Sequence, residues 1–141
     1  MSPSTGSGHG LDLEALPGEV LDFLAERHLA SLTTLRRDGT PHVVPVGFTY
    51  DAETRIVRVI TSGDSVKARN ADRPDAVAAI CQVDGARWVT VSGAVRVDRD
   101  PDVIADAVSR YARRYKQPRV NPKRVALIIE VNRMMGSSRF C

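Results

Sequence analysis

Two Asp-Gly pairs constrain the fold of this chain more than any other feature of its sequence. Each pair lies between two runs rich in β-branched and aromatic residues: Asp38-Gly39 between residues 29–35 and 41–50, and Asp84-Gly85 between residues 75–83 and 87–97. An Asp-Gly pair favours the tight turn of a β-hairpin, so each pair predicts two neighbouring antiparallel strands. The chain is therefore expected to build an antiparallel sheet.

The rest of the sequence adds two strands and three short helices. Strands are predicted over residues 56–61 and 124–131, and helices over residues 17–27, 65–72 and 100–115. Six strands linked largely as hairpins, with helices between them, indicate a mainly β (α+β) protein built as a small antiparallel barrel. The interior of so small a barrel is filled by side chains, so a ligand must bind on its outside or between two copies.

Three further expectations concern one strand and the chain ends. The small apolar residues of the strand at 75–83 predict burial on both faces, and residues 132–141 are predicted to form a tail. Residues 1–10 are rich in Gly and Ser and predict a disordered leader, which leaves residues 11–141 as a single domain.

Composition narrows the class of protein. The chain has 141 residues, 43% of them hydrophobic, a net charge of +3 and no apolar run long enough to span a membrane. Without a signal peptide, and with two cysteines that lack metal-site spacing, a cytoplasmic protein is expected. Scattered arginines and only 5% aromatic residues argue against nucleic acid as a partner.

The candidate binding element is the stretch from residue 58 to residue 70. It reads as a buried strand, a hydroxyl-rich turn and a short helix, with hydroxyls at Thr61, Ser62 and Ser65 and a positive charge at Lys67. Backbone N–H groups at a helix start and a nearby cation suit an anion. The alternative is an ordinary strand-to-helix connection with a Ser or Asp cap.

The scarcity of lysine favours the anion hypothesis. The chain has 20 Lys and Arg residues, of which only Lys67, Lys116 and Lys123 are lysines. Lysine is a compact point charge suited to phosphate, whereas arginine suits planar, bidentate partners. A phosphate-bearing ligand is therefore the leading hypothesis for the turn before Lys67.

Four other residues allow two interpretations each. Pro45 and Gly47 within a strand indicate either a sheet edge approached closely by a ligand or backbone, or a barrel corner that needs a bend. Trp88 is either core or a ring platform at a site or interface. His28, after the first helix, is expected to be a capping or surface residue rather than a catalytic one.

Catalytic side-chain patterns are missing from the sequence. No nucleophile elbow, Walker loop, metal cluster or isolated carboxylate pair is present, and the three histidines are dispersed. An enzyme with so little side-chain chemistry would take its chemistry from a cofactor.

Three stretches together carry a resemblance to a known family. Residues 29–50, 59–83 and 84–97 resemble the split β-barrel flavin/deazaflavin oxidoreductases, the superfamily of pyridoxamine 5′-phosphate oxidase. Within it, the likeness is greatest to the actinobacterial branch that uses the deazaflavin coenzyme F420, particularly its biliverdin reductases. The resemblance implies a six-stranded antiparallel split β-barrel with short flanking helices, which forms a homodimer with the coenzyme at the subunit interface.

The resemblance also implies site residues. It places the coenzyme phosphate on the strand-to-helix turn and the ring along the second strand, with further contacts from Gln82 and Trp88 of the same chain or of a second copy. The full set is His42, Val44, Pro45, Val46, Ile60, Thr61, Ser62, Ser65, Lys67, Arg69, Asn70, Gln82 and Trp88. Many flavin-binding relatives carry an arginine two residues before the lysine, where this chain has Ser65. This departure favours F420 over FMN.

Three functions follow from the resemblance as expectations. The first is an F420-dependent reductase that passes a hydride to a conjugated acceptor such as biliverdin, with the proton coming from solvent or from Arg36 or Arg87. The second is a non-catalytic protein that stores or senses F420. The third is an FMN-binding oxidase.

Overall fold

The computed structural model describes residues 8–140, apart from the side chain of Arg139, and in that range it contains eight strands and three α-helices. The strands are β1 (Gly8–Gly10), β2 (Ala30–Leu35), β3 (Pro41–Val46), β4 (Thr49–Asp51), β5 (Ile56–Ser62), β6 (Val77–Asp84), β7 (Arg87–Asp98) and β8 (Arg124–Ser137). The helices are α1 (Gly18–Ala25), α2 (Val66–Ala71) and α3 (Pro101–Arg114). None of the described helices is long and apolar enough to cross a membrane.

All the strands pair antiparallel in one sheet, in the order β3-β2-β6-β7-β8-β5-β4, with β1 added to β8. The two end strands of this order, β3 and β4, are separated along the chain by only Gly47 and Phe48. Two residues span at most about 10 Å, so the sheet must curl until its ends meet. The result is a barrel that is split between β3 and β4, as the resemblance implies.

Both Asp-Gly hairpins are confirmed. Gly39 and Gly85 have φ angles of +86° and +62°, which a residue with a side chain rarely adopts. The first turn pairs β2 with β3, so that Thr34 faces His42, and the second pairs β6 with β7. Each turn therefore fixes the register of the two strands that it joins.

The core lies inside the barrel and is closed at one end by α1. Alternate residues of the strands point inward and are fully buried, including Leu32, Val57, Ile80, Val91, Leu127 and Ile129. From α1, Val20 and Phe23 are also fully buried against them. The helix α3 packs on the outside of the barrel, where Ala107 contacts Ala126 and Ile128 of β8.

The helix termini follow the sequence signals. Asp100 caps α3 by accepting a hydrogen bond of 2.8 Å from the backbone N–H of Asp102, and Pro101 occupies the first turn. Arg113 and Arg114 lie in the last turn, where the helix dipole favours cations. Pro17 precedes the first residue of α1, close to the predicted start.

Three predictions about the sheet are wrong. Residues 132–137 continue β8 along β7 and β1 instead of forming a tail. Gly8–Gly10 forms β1 against β8, so these residues do not belong to a disordered leader, while residues 1–7 lie outside the described part of the chain. The strand β6 is not buried on both faces, because Val77 and Val83 are 52% and 57% exposed on its outer face.

Candidate functional site

A cleft of about 260 Å³ lies where the ends of β3 and β5 meet α2, α3 and the loop before β8. We call it the Lys67 cleft. It is lined by Pro45, Val46, Gly47, Ile60, Thr61, Ser62, Lys67, Tyr111, Pro118, Asn121 and Arg124. Six of these residues are predicted site residues, so strands distant in sequence bring together both the phosphate half and part of the ring half of the predicted site.

The turn between β5 and α2 is fastened to the loop before β8. The backbone N–H of Gly63 donates to the carbonyl oxygen of Lys123 at 2.8 Å. A Cβ atom at Gly63 would lie 3.2 Å from that same oxygen, so a glycine allows the close approach. The hydroxyl of Ser62 donates to Asp64 at 2.7 Å, and Asp64 lies 3.4 Å from the Lys123 ammonium. Two contacts with Lys123 therefore hold the turn whose Ser62 lines the cleft.

Ser65 is the N-cap of α2. Its hydroxyl oxygen accepts hydrogen bonds from the backbone N–H of Ala68 at 3.2 Å and from the Thr61 hydroxyl at 3.1 Å. The alternative of a capped strand-to-helix connection is therefore correct for Ser65. Because α2 has only six residues, its dipole is short, and the anion hypothesis depends on Lys67 rather than on the helix.

Lys67 carries an uncompensated charge and, unlike the exposed Arg69, is partly withdrawn from solvent. It is half-buried, and the loss of solvation lowers the pKa of its ammonium group. Among residues 8–140, no carboxylate forms an ion pair with Lys67 and no acceptor forms a hydrogen bond with it. A partly desolvated cation beside two hydroxyl groups is a suitable partner for an anion.

Gly47 allows two tyrosines to approach β3 closely: Tyr111 within α3, and Tyr115 directly after its last residue. A Cβ atom at Gly47 would lie 2.8 Å from the Tyr111 ring and 3.0 Å from the Tyr115 ring. The Tyr115 hydroxyl donates to the carbonyl of His28 at 2.7 Å and accepts from the N–H of Phe48 at 3.2 Å. The close approach predicted at Gly47 is thus made by aromatic rings, and Tyr111 also lines the cleft.

Gln82 lies in the core and does not line the cleft. Its side chain is 0% exposed. Its amide nitrogen donates to the carbonyl of Phe23 at 2.7 Å, and its amide oxygen accepts from Arg114 at 2.6 Å. Arg114 also donates to the carbonyl oxygens of Glu26 and Phe48. We call these contacts the Arg114 network, and they give Gln82 a structural role.

Asn70, His42 and Val44 also lie away from the cleft lining. Asn70 is buried and donates to the Thr34 hydroxyl at 3.0 Å, which ties α2 to β2. His42 faces Thr34 across the β2–β3 pair, and its Nδ1 atom is buried with no hydrogen-bond partner among the described residues. Val44 is partly buried against the barrel core.

Arg69 and Trp88 complete the predicted set. Arg69 is exposed on α2 and does not line the cleft. The Trp88 ring packs so closely on Gly8 of β1 that a Cβ atom at Gly8 would overlap it. Trp88 therefore contacts β1 near the start of β7.

Neither predicted proton donor lines the cleft. Arg87 donates hydrogen bonds to Glu26 at 2.9 and 3.0 Å and to Asp84 at 2.5 Å, and these bonds raise the pKa of its guanidinium. The hydrogen bonds from Arg87 and His28 lower the pKa of Glu26 to about 2. A guanidinium held between two carboxylates is a poor proton donor. Arg36 is exposed in the β2–β3 turn and donates to the carbonyl of Pro41 at 2.6 Å.

A larger recess of about 780 Å³ adjoins the Lys67 cleft, with Asn121 and Arg124 lining both. Sequence reasoning missed these two residues, together with Tyr111 and Pro118. Arg124 faces Ser62 across the β5–β8 ladder, so that pairing is what brings it to the cleft. No local pattern announces a pairing between strands more than sixty residues apart.

Comparisons with known proteins identify the family of the chain. The family described as "Pyridoxamine 5′-phosphate oxidase" matches residues 16–136. A protein of Mycobacterium tuberculosis (strain CDC 1551 / Oshkosh) named "F420H(2)-dependent biliverdin reductase" is 54% identical over 123 residues, which cover 87% of this chain and 89% of that protein.

Solved structures support the fold. A structure titled "F420 Reductase" superposes with a TM-score of 0.65 at 24% identity, covering 80% of this chain and 93% of the other. A structure from Lactobacillus delbrueckii, titled as a pyridoxamine 5′-phosphate oxidase, gives 0.68 at 18% identity, covering 89% of this chain and 97% of the other. At these identities the likeness establishes the split-barrel fold alone.

Proposed function

Because the chain belongs to the pyridoxamine 5′-phosphate oxidase family, we propose that it is a reductase that uses reduced coenzyme F420 to reduce biliverdin or a related tetrapyrrole. The proposal rests on the 54% sequence identity between this chain and the mycobacterial F420H(2)-dependent biliverdin reductase, which extends over most of both chains. The Lys67 cleft supports it, because an unpaired cation lies at the turn where a phosphate is expected.

The residues of the cleft fit a phosphate-bearing, ring-containing cofactor. The Lys67 ammonium supplies the charge for the phosphate. The hydroxyls of Thr61 and Ser62 lie beside it and would exchange their bonds to Ser65 and Asp64 for bonds to the phosphate. Pro45, exposed on the edge strand β3, presents an apolar surface for the ring, and the largely buried Val46 lines the cleft beside it. When bound, reduced F420 supplies a hydride to the acceptor.

The remaining contribution of the chain is positioning, and the proton comes from outside it. Arg87 is held by two carboxylates and Arg36 lies in an exposed turn, so solvent is the proposed source of the proton. The protein then accelerates the reaction chiefly by holding cofactor and acceptor in contact. The adjoining recess of about 780 Å³ offers room for the part of the cofactor beyond its phosphate.

The proposed homodimer is supported by an apolar outer face of the sheet. Val43 of β3, Leu35 of β2, and Val77 and Val83 of β6 share this face, and each is exposed in the single chain. Four exposed aliphatic residues on one sheet surface are typical of an interface. A second copy packed there would bury them and supply a further wall for the cofactor.

The oligomeric state tests this part of the proposal directly. Sedimentation equilibrium should give a dimer for the wild type and a monomer for Val77→Glu. Val120→Glu is the matched control, because Val120 is 96% exposed on the loop after α3. A wild-type monomer, or a dimer that survives Val77→Glu unchanged, would contradict the proposed interface.

Single-turnover kinetics test the activity and separate it from F420 storage. Protein loaded with reduced F420 is mixed with biliverdin, and oxidation of the cofactor is followed by absorbance. We expect oxidation well above the rate in buffer, and a slower reaction for Lys67→Ala at the same subsaturating F420. A rate equal to that in buffer would leave a non-catalytic F420-binding protein.

The FMN alternative makes a different prediction. An FMN-dependent oxidase would purify as a yellow protein, whereas an F420-dependent protein should be colourless and bind added F420. The structure uses Ser65, the residue at the position of the flavin relatives' arginine, as a helix cap. A yellow preparation with stoichiometric FMN would favour the oxidase.

A further inference from the structure

A second cavity, of about 280 Å³, lies between α3, α1 and β4. It shares no lining residue with the Lys67 cleft and is lined by Leu24, Ala25, Thr49, Tyr50, Arg110, Arg113 and Arg114. Three arginines from the last turns of one helix therefore converge on one small cavity. We call it the arginine cavity.

Carboxylates compensate only part of the charge in this region. Arg110 lies 2.9 Å from Asp106 and 3.7 Å from Asp51. Arg58, which faces Thr49 across the β4–β5 pair, lies 3.4 Å from the same Asp106. The guanidinium groups of Arg58 and Arg110 thus neutralise the carboxylates of Asp51 and Asp106, so these carboxylates do not compensate a third arginine.

The other two arginines have no carboxylate partner among residues 8–140. Arg114 spends its hydrogen bonds on neutral acceptors, including the carbonyl of Glu26 and the amide oxygen of Gln82, and its burial lowers the pKa of its guanidinium. Arg113 is exposed and donates only to the Ser109 hydroxyl, at 3.5 Å. The cavity and its wall therefore carry an excess of two positive charges.

Buried polar atoms next to these charges also lack partners. The Thr49 hydroxyl, the Tyr50 hydroxyl and one terminal nitrogen of Arg58 are buried and form no hydrogen bond within the described chain. Buried polar groups in native proteins are nearly always bonded, to protein, water or an ion. Thr49 and Arg58 face each other across the β4–β5 pair, so two of these donors lie together and indicate a bound species that the chain itself does not supply.

We propose that the arginine cavity binds a small oxyanion with two negative charges, such as phosphate or a small dicarboxylate. Arg113 offers paired N–H donors that suit either oxyanion, while Arg110 and Arg114 contribute mainly charge because they are bonded within the chain. The charge of the ligand would balance the excess of two. A cavity of about 280 Å³ has room for an anion of this size but not for a whole dinucleotide or tetrapyrrole. The ligand is held between α3 and β4, away from the Lys67 cleft.

Isothermal titration calorimetry with inorganic phosphate and with succinate tests the proposal. The titration is run on the full-length Lys67→Ala protein, so that phosphate cannot bind at Lys67, with chloride at matched ionic strength as the blank. We expect one saturable site for at least one of the two anions. Preference for phosphate or for succinate identifies which oxyanion chemistry the cavity selects.

Two further variants locate the site. Arg113→Gln in the Lys67→Ala background should bind at least tenfold more weakly, and because Arg113 is exposed the variant should still fold. Arg37→Gln removes the same charge from the exposed β2–β3 turn and should bind unchanged. Heats equal to the chloride blank for both anions, or equal loss in the Arg113 and Arg37 variants, would overturn the proposal while leaving the proposed reductase untouched.

Discussion

Lys67 and Gln82 were both predicted to contact the cofactor, yet the structure gives the two side chains opposite surroundings. Gln82 is fully buried, and both ends of its amide are bonded within the Arg114 network. Lys67 is half-buried in a cleft and has no hydrogen-bond or ion-pair partner among residues 8–140. A polar side chain without a partner in a cleft therefore indicates a ligand site, whereas a polar side chain that is fully hydrogen-bonded in the core contributes to folding.

The largest effect is expected at Arg114. Arg114→Ala would remove the donor of the Gln82 amide oxygen and would take the Arg114 bonds from the Glu26 and Phe48 carbonyls, which keep only the His28 N–H and the Tyr115 hydroxyl. Losing several buried hydrogen bonds to one charged group should lower the free energy of unfolding by about 3–5 kcal/mol. Urea denaturation measures the loss, with Arg119→Ala as an exposed control. A loss below about 1 kcal/mol would show that the network contributes little to folding.

Gly47→Ala tests where the network meets the cleft. The added Cβ would lie 2.8 Å from the Tyr111 ring and 3.0 Å from the Tyr115 ring, so at least one ring must move. Overpacking of this kind costs about 1–3 kcal/mol, and we also expect weaker F420 binding because Tyr111 lines the cleft. Gly18→Ala, which places its Cβ in open space, is the control. Unchanged stability and affinity would mean that the two tyrosine rings can move aside without a cost in free energy.

Ser65→Ala separates capping from cofactor contact. Loss of the N-cap should lower the free energy of unfolding by about 1 kcal/mol. The F420 affinity should change little, since the Ser65 hydroxyl already interacts with Thr61 and Ala68. If the affinity instead falls as much as in Lys67→Ala, then Ser65 contacts the ligand directly.

The smallest effect is the pH dependence of binding. Burial lowers the pKa of Lys67, so its ammonium loses its proton at a lower pH than an exposed lysine would. Affinity for F420 should therefore weaken as the pH rises from about 7 towards the ordinary lysine value of about 10.4, by less than about tenfold. Lys67→Ala should lack this dependence. An equal decline in both proteins would assign it to another group.

The local parts of the fold could be predicted, because their signals lie within a few residues. Asp38-Gly39 and Asp84-Gly85 fix two hairpins, and Asp100-Pro101 fixes the start of α3. The strand nature of residues 132–137 could not be read locally, because their pairing with β7 and with β1 stabilises them. Long-range pairing overrides local propensity in a sheet.

The candidate site divides in the same way. Thr61, Ser62 and Lys67 are close in sequence and were predicted from their own turn, whereas Arg124 and Tyr111 reach the cleft only through the β5–β8 ladder and the packing of α3. Gln82 was assigned to the site from the family resemblance, and nothing in its own strand reveals Arg114 as its partner, 32 residues further along the chain. Sequence identifies the residue types suited to a ligand, and tertiary packing decides which of them stay free to bind it.

The most direct test of the central claim is a titration of wild type, Lys67→Ala and Lys116→Ala with F420 and with FMN, followed by the fluorescence of each cofactor. We predict that the wild type binds F420 more tightly than FMN. Lys67→Ala should weaken F420 binding by about 1.5–3 kcal/mol, as expected for a hydrogen bond to a charged group, while its stability stays unchanged. Lys116→Ala removes an exposed lysine and should bind as the wild type does. Equal F420 affinity for all three proteins would remove Lys67 from the site and contradict this account.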